Sequence, residues 1–148
     1  MRVVLDTNII VRANPQTSPG GLAKDLLLTV ATGPHRLVLS PAILAEVGRV
    51  LRYAHVQKRW PLSDEAIQTY LTLLEESALM VVLPAEMPLV VSDPDDDPIL
   101  QTAILGRADV LCSRDAAFRA PAVEHVCRTN GIRVLDDVTL MQELRKSA

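Results

Sequence analysis

The sequence predicts an α/β fold in which a mainly parallel central sheet of about five strands is flanked by helices. Short apolar runs alternate with segments of helical periodicity, and successive runs lie too far apart for hairpins. Hydrophobic residues make up 49% of the chain but aromatic residues only 3%, so the core must consist of small aliphatic side chains, as suits helices on a buried sheet. The 148 residues fall in the size range of one domain, which we expect to span residues 1–148.

Apolar runs, turn residues and helix-start signals define the elements of the first half. The run from Val3 to Leu5 is typical of a buried strand. Ser40 followed by Pro41 is typical of an N-cap and the first position of a helix, and Ser63 with two acids behind it predicts another helix start. The predicted elements are a strand at 3–5, a loop, a helix at 22–31, a strand at 36–39, a helix from 41 and a helix from 64 to about 77.

The second half begins with an irregular stretch, because four prolines between residues 84 and 98 cannot share one regular element. Asp97 followed by Pro98 is typical of a cap and a helix start, and Gly131 is typical of a helix end. Either Asp136 or Asp137 is expected to cap the last helix. The predicted elements are a strand at 80–83, a helix at 99–106, a strand at 110–112, a helix at 123–130, a strand at 132–135 and a helix through 144.

Two further features concern location and redox chemistry. No apolar stretch reaches the ~18 residues of a membrane-spanning helix, and the N-terminal MRVVLDTN lacks the apolar region of a signal peptide. We therefore expect a cytoplasmic protein. Cys112 and Cys127 have no metal-ligand spacing, and we expect them to be small buried side chains.

Several acids fall near the carboxyl ends of predicted strands, which is where open parallel sheets bind ligands. Asp6 directly follows the first strand, Asp115 follows the fourth, and Asp96 and Asp97 begin the helix before the fourth. Glu46 lies on the helix after the second strand. Because carboxylates without basic partners repel one another, their convergence predicts bound cations, and oxygen-only ligands favour Mg²⁺ or Mn²⁺ over zinc. Such metals suit hydrolysis of a nucleic-acid strand.

Four segments, in order along nearly the whole chain, resemble the PIN-domain nucleases: LDTNIIV, SPAILAEVGRVL, DPDDDPILQTAILGRADVLCSRD and GIRVLDDVTL. Within that family, the chain is most similar to the bacterial and archaeal branch of toxins from toxin–antitoxin pairs, the VapC-like branch. The resemblance implies a PIN domain that is a Mg²⁺- or Mn²⁺-dependent endoribonuclease. It also implies an RNA substrate, a cognate antitoxin as a candidate partner, and a homodimer that uses the helices around residues 51–74.

The resemblance also assigns roles to individual residues. It implies that the catalytic, metal-binding acids are Asp6, Glu46, Asp96 and Asp115. It implies supporting roles for Asn8, which shapes the loop after the first acid; for Ser113, a hydroxyl contact to the site; for Asp97, a helix cap that could exchange roles with its neighbour; and for Asp93. Arg114 and Ala117 depart from the pattern, since relatives often have Gly and a further acid there, so the site could hold one metal or two.

Basic residues offer a surface for phosphates, although the net charge of −3 argues against a protein that coats nucleic acid. We assign substrate binding to Arg49, Arg52 and Arg114. The first two belong to a basic cluster with Lys58 and Arg59. The alternative is that this cluster is only the solvated face of a helix.

Two other functions remain open. The chain could be a catalytically weak PIN-like module that binds proteins, which the missing fifth acid would favour. It could also be a phosphatase of the haloacid-dehalogenase type, but that chemistry needs a second Asp where this chain has Asn8.

Overall fold

Five strands form a parallel sheet in the part of the chain that the computed structural model describes, residues 1–18, 20–85 and 97–146. All four pairings are parallel. In chain order the strands are β1 (Arg2–Leu5), β2 (Arg36–Leu39), β3 (Leu79–Met80), β4 (Val110–Cys112) and β5 (Arg133–Leu135). Their order in the sheet is β3-β2-β1-β4-β5, so β1 lies in the centre. The predicted α/β class is confirmed.

Helices flank this sheet. The described ranges contain eight α-helices, and a short 3₁₀ helix (Ala116–Arg119) follows β4. The α-helices are α1 (Thr7–Arg12), α2 (Leu22–Ala31), α3 (Pro41–Leu51), α4 (Ala54–Arg59), α5 (Asp64–Ser77), α6 (Asp97–Leu105), α7 (Pro121–Thr129) and α8 (Asp137–Lys146). Among the helices of these ranges, none has the length and apolar character needed to span a bilayer.

The core is centred on β1, where Val3, Val4 and Leu5 are all fully buried. Successive side chains of a strand point to opposite faces of the sheet, so three buried residues in a row show that both faces are covered. Cys112 and Cys127 are free thiols inside this core, as expected, and burial raises the pKa of Cys112 to about 12.

The helix starts follow the predicted capping signals. The Ser40 hydroxyl accepts a hydrogen bond from the Ile43 N–H, and the Ser63 hydroxyl accepts one from the Ala66 N–H. At α8, Oδ1 of Asp136 accepts a 2.8 Å hydrogen bond from the Thr139 N–H. Of the two alternatives for the last helix, Asp136 is therefore the cap.

The structure corrects four details of the prediction. The chain after β1 is not a loop throughout, because α1 begins there at once, and α4 was also missed. The third strand ends at Met80 rather than at residue 83, and Val82 is 82% exposed, so it has left the sheet. The buried Asp97 is the first residue of α6 rather than a cap before it.

Candidate active site

Asp6 and Ser113 are neighbours at the carboxyl edge of the sheet, which we define as the positions directly after β1 and β4. The two strands pair in parallel so that Leu5 lies opposite Cys112. The pairing continues one residue further, since the Asp6 N–H donates a 2.9 Å hydrogen bond to the Cys112 carbonyl. Asp6 and Ser113, the residues that directly follow these two strands, are therefore adjacent.

The Ser113 hydroxyl connects two of the predicted acids. It donates a 2.6 Å hydrogen bond to Oδ2 of Asp6 and accepts a 2.9 Å hydrogen bond from the backbone N–H of Asp115. Ser113 is fully buried. Its own N–H donates to the Leu135 carbonyl of β5, which fixes the residue between two strands.

Asp6 is only 6% exposed, and burial raises the pKa of its carboxyl group above the ordinary value. The hydrogen bond from Ser113 and those from the backbone N–H groups of Thr7 and Asn8 act in the opposite direction and lower the pKa. The negative charge of Asp115 raises it further. The two carboxylates are therefore close enough for like-charge repulsion, which a bound cation would relieve.

Asp115 is exposed, and the backbone around it is held in place by Arg119. Oδ1 of Asp115 accepts a 2.9 Å hydrogen bond from the Ala117 N–H and so caps the 3₁₀ helix. The Arg119 guanidinium donates to the carbonyl of Asp115 at 3.0 Å and to the carbonyl of Ser113 at 2.9 Å. Sequence reasoning gave Arg119 no role. Its spacing of four residues from Asp115 is the one local signal that pointed to it.

Glu46 lies on α3, which packs against α1. Its carboxylate, 22% exposed, contacts the guanidinium of Arg49 one turn further along the helix. The expectation that the acids have no basic partners is therefore wrong for Glu46. In residues 1–18, 20–85 and 97–146, no group of three or more His, Cys, Asp or Glu side chains is arranged to hold a metal.

Of the remaining predicted acids, only Asp97 falls within the residues that the structure describes. Asp93 and Asp96 lie outside the residues that the structure describes. Asp97 is buried at the start of α6, a helix that contacts β1, β2 and β4. The structure thus brings together Asp6, Ser113 and Asp115, with the exposed Asn8 in the first turn of α1.

The three arginines that were predicted to bind substrate all contact acids. Arg49 pairs with Glu46, and Arg52 lies 3.1 Å from Oδ1 of Asp64. Nε of Arg114 lies 2.6 Å from Oδ1 of Asp137, whose side chain is only 4% exposed. Arg114, one of the two departures from the family pattern, therefore connects the end of β4 to the start of α8.

A sequence model of the PIN-domain family matches residues 2–117, and the chain belongs to that family. The match runs from β1 into the 3₁₀ helix, so it includes the segment that carries Asp6 and the segment that carries Ser113 and Asp115. No curated protein matches the chain. PIN domains are generally nucleases that use divalent metals, and the fold is therefore a nuclease fold.

Proposed function

We propose that this PIN domain is a Mg²⁺- or Mn²⁺-dependent endoribonuclease. The observation that best supports the proposal is the pair of acids at the carboxyl edge: a buried Asp6 with a raised pKa, joined through one hydroxyl to the segment of Asp115. Repelling carboxylates held together by the strand pairing favour a cation ligand over a purely structural role.

The proposed ligands are Asp6, Glu46, Asp96 and Asp115. The donors are all oxygens, and hard cations such as Mg²⁺ and Mn²⁺ prefer oxygen ligands. Glu46 is partly exposed and its present partner lies on a flexible, exposed side chain, so its carboxylate is able to exchange Arg49 for a metal. The released guanidinium of Arg49 would then be available to a phosphate.

Each residue of the site has a defined part in this proposal. The bound metal supplies activation of a water and neutralisation of the phosphodiester that is cut. Ser113 holds the Asp6 carboxylate in place through Oδ2, so that the carboxylate would meet the metal in a fixed orientation. Arg119 fixes the backbone that carries Asp115, and the exposed Asn8 provides an amide beside the first acid.

We also propose RNA as the substrate and a role as the toxin of a toxin–antitoxin pair in the cytoplasm, with an antitoxin as partner and a homodimer as the assembly. These parts of the proposal rest on the four motifs that resemble the toxin branch. A small protein encoded next to this gene that binds the chain and inhibits it would support them.

The test of the activity is cleavage of a 5′-labelled single-stranded RNA in Mg²⁺, in Mn²⁺ and in EDTA. Cleavage is expected only with metal. Asp6→Asn and Asp115→Asn are expected to lose it, whereas Asp109→Asn, directly before β4 at the other end of the strand, is expected to cut like the parent. Metal-independent cleavage, or full activity of Asp6→Asn in a folded protein, would refute the proposal.

A second experiment separates the two neighbouring acids before Pro98. Because binding to the folded state stabilises it, millimolar Mn²⁺ is expected to raise the melting temperature of the parent. Asp96→Asn is expected to abolish most of this rise without lowering the metal-free melting temperature. Asp97→Asn changes a residue that is 1% exposed, so it is expected to lower the melting temperature with and without metal. The opposite pattern would exchange the two roles.

A further inference from the structure

A pocket of about 350 Å³ opens beside the candidate active site. We call it the basic pocket and define it by its polar lining: Asn8, Arg12, His55, Arg59 and Trp60. Asn8 and Arg12 are four residues apart on α1 and so lie on the same face of that helix. Asn8, one of the lining residues, is two residues after Asp6 in the chain.

The guanidinium of Arg12 has an unmet hydrogen-bond donor in this pocket. Its Nε atom is buried and has no hydrogen-bond partner in residues 1–18, 20–85 and 97–146. A buried N–H without an acceptor is unfavourable, and native structures rarely contain one. An anion bound to the guanidinium from the pocket would supply an acceptor for Nε after a shift of the Arg12 side chain, because Nε itself is closed to solvent.

Arg59 supplies a second cation and is held by an aromatic ring. Its Cζ atom lies 4.8 Å from the centroid of the Trp60 ring, the geometry of a cation–π contact. This contact restrains the guanidinium but leaves its N–H edge for hydrogen bonds.

The arginines of the basic pocket differ from the other arginines near the site, because no carboxylate of the described residues lines the pocket with them. Arg49, Arg52 and Arg114 each contact a carboxylate. The lining of the basic pocket contains no Asp or Glu among the described residues, and the apolar part of its wall is Val11, Val50 and Val56. Two arginines without a carboxylate in the same wall make an anion the favoured ligand.

We infer that the basic pocket binds a backbone phosphate of the RNA strand, next to the phosphate that is cut. The planar guanidinium groups of Arg12 and Arg59 match the oxygens of a phosphate. Because Asn8 lines this pocket and lies two residues after Asp6 in the first turn of α1, we expect this phosphate to belong to the same strand as the one at Asp6. The inference rests on the proposed function, because it takes RNA as the substrate.

The test measures RNA binding without cleavage. A fluorescein-labelled single-stranded RNA of twelve nucleotides is titrated in EDTA at several salt concentrations, with anisotropy as the readout. Arg12→Gln and Arg59→Gln are each expected to weaken binding several-fold at low salt. The double variant is expected to reduce the slope of log K against log salt by about 0.7, the value for one phosphate contact to a single strand.

Arg36→Gln is the matched control, since Arg36 is exposed at the first residue of β2, at the opposite edge of the sheet. It is expected to leave Kd and the salt slope unchanged. Arg12 is partly buried, so a melting curve accompanies each variant. If Arg12→Gln unfolds, Arg59→Gln decides the question, because its side chain is exposed and its replacement leaves the core intact.

The inference is wrong if the double variant binds RNA with the Kd and salt slope of the parent. The cations would then serve another ligand, such as an acidic segment of a partner protein. Cleavage in Mn²⁺ is measured separately on the same proteins. A parent that binds RNA through the basic pocket but cuts nothing would overturn the proposed activity alone. A parent that cuts RNA, with a double variant that binds and cuts equally well, would overturn the phosphate pocket alone.

Discussion

The Ser113 hydroxyl donates a 2.6 Å hydrogen bond to Oδ2 of Asp6, and the two residues follow neighbouring strands. The same hydroxyl accepts the N–H of Asp115. The Ser113 side chain therefore sets the position of Asp6 relative to the segment that carries Asp115. The geometry of the acids depends on the register between β1 and β4, which are 107 residues apart at this contact.

Ser113→Ala tests this hydroxyl. The change leaves the buried Asp6 without its side-chain donor, and hydrogen bonds to charged groups contribute about 1.5–3 kcal/mol. We expect a loss of this order in the free energy of unfolding at pH 7 in EDTA, measured by urea denaturation. Ser77→Ala, which removes an exposed hydroxyl bonded to the Leu73 carbonyl, is the control and is expected to change it much less. Equal decreases in the free energy of unfolding of the two variants would mean that the hydrogen bond to Asp6 stabilises the fold no more than an exposed one does.

The buried Asp6 predicts a pH dependence of the metal-free protein. Because burial raises its pKa above 3.8, the folded state holds the proton more tightly than the unfolded state. The free energy of unfolding contributed by Asp6 is then expected to fall as pH rises from about 4 through the raised pKa. Saturating Mn²⁺ is expected to oppose this trend, since the metal binds the deprotonated carboxylate.

Comparison of the parent with Asp6→Asn isolates this contribution. The lowered pKa values of Asp136 and Glu143, caused by the hydrogen bonds from Thr139 and Arg133, give both proteins an opposite trend that cancels in the difference. The stability of the parent relative to Asp6→Asn should therefore decrease with pH. A difference that stays constant between pH 4 and pH 8 would contradict the raised pKa.

Arg119 is predicted to be a positioning residue for the metal ligands. Arg119→Gln removes donors to the carbonyls of Ser113 and Asp115, and we expect a smaller rise in melting temperature on addition of Mn²⁺. Arg119→Lys should fall between this variant and the parent, because an ammonium lacks the planar fork of a guanidinium. Arg119 and Arg128 line one surface cavity, and Arg128 is exposed; Arg128→Gln should therefore respond to Mn²⁺ like the parent. If Arg119→Gln and Arg128→Gln lose the response to Mn²⁺ equally, the loss of a positive charge, rather than of a positioning contact, explains the effect.

The ion pair between Arg114 and Asp137 is predicted to stabilise the fold. The carboxylate is 4% exposed, so loss of Arg114 leaves a nearly buried charge with fewer donors. A double-mutant cycle of Arg114→Gln and Asp137→Asn, followed by urea denaturation, should show clear coupling between the two side chains. The exposed pair of Arg52 and Asp64 provides the matched cycle, and its coupling should be smaller. Equal coupling would mean that burial of Asp137 contributes nothing.

The sequence predicted best those elements whose ends are marked by local signals, such as capping residues, turn residues or a short apolar run. The bounds of α2, β2 and β4 agree with the prediction to the residue. By contrast, α1 was missed because Ile9, Ile10 and Val11 are all buried, and a helix that is apolar on several sides shows no stripe. The six-residue α4 buries only Val56, so its sequence also has no apolar periodicity.

For the site, the sequence indicates which residues follow strands but not which side chains meet. The contact between Glu46 and Arg49 spans three residues on one helix and was within reach of local reasoning. The contact between Arg114 and Asp137 depends on the pairing of β4 with β5, which only the tertiary structure supplies. The same holds for the basic pocket, which combines α1 with α4.

The central place of β1 has a consequence for how the protein opens in solution. Strand β1 is hydrogen-bonded to β2 on one side and β4 on the other, and the Asp6 amide continues the second ladder. Partial opening of a native protein begins at frayed termini and edges, and its innermost ladder exchanges amide hydrogens only on nearly complete unfolding. The amide of Asp6 should therefore be among the slowest to exchange, while the two-residue edge strand β3 exchanges early. Transient fraying would then leave the first acid in place.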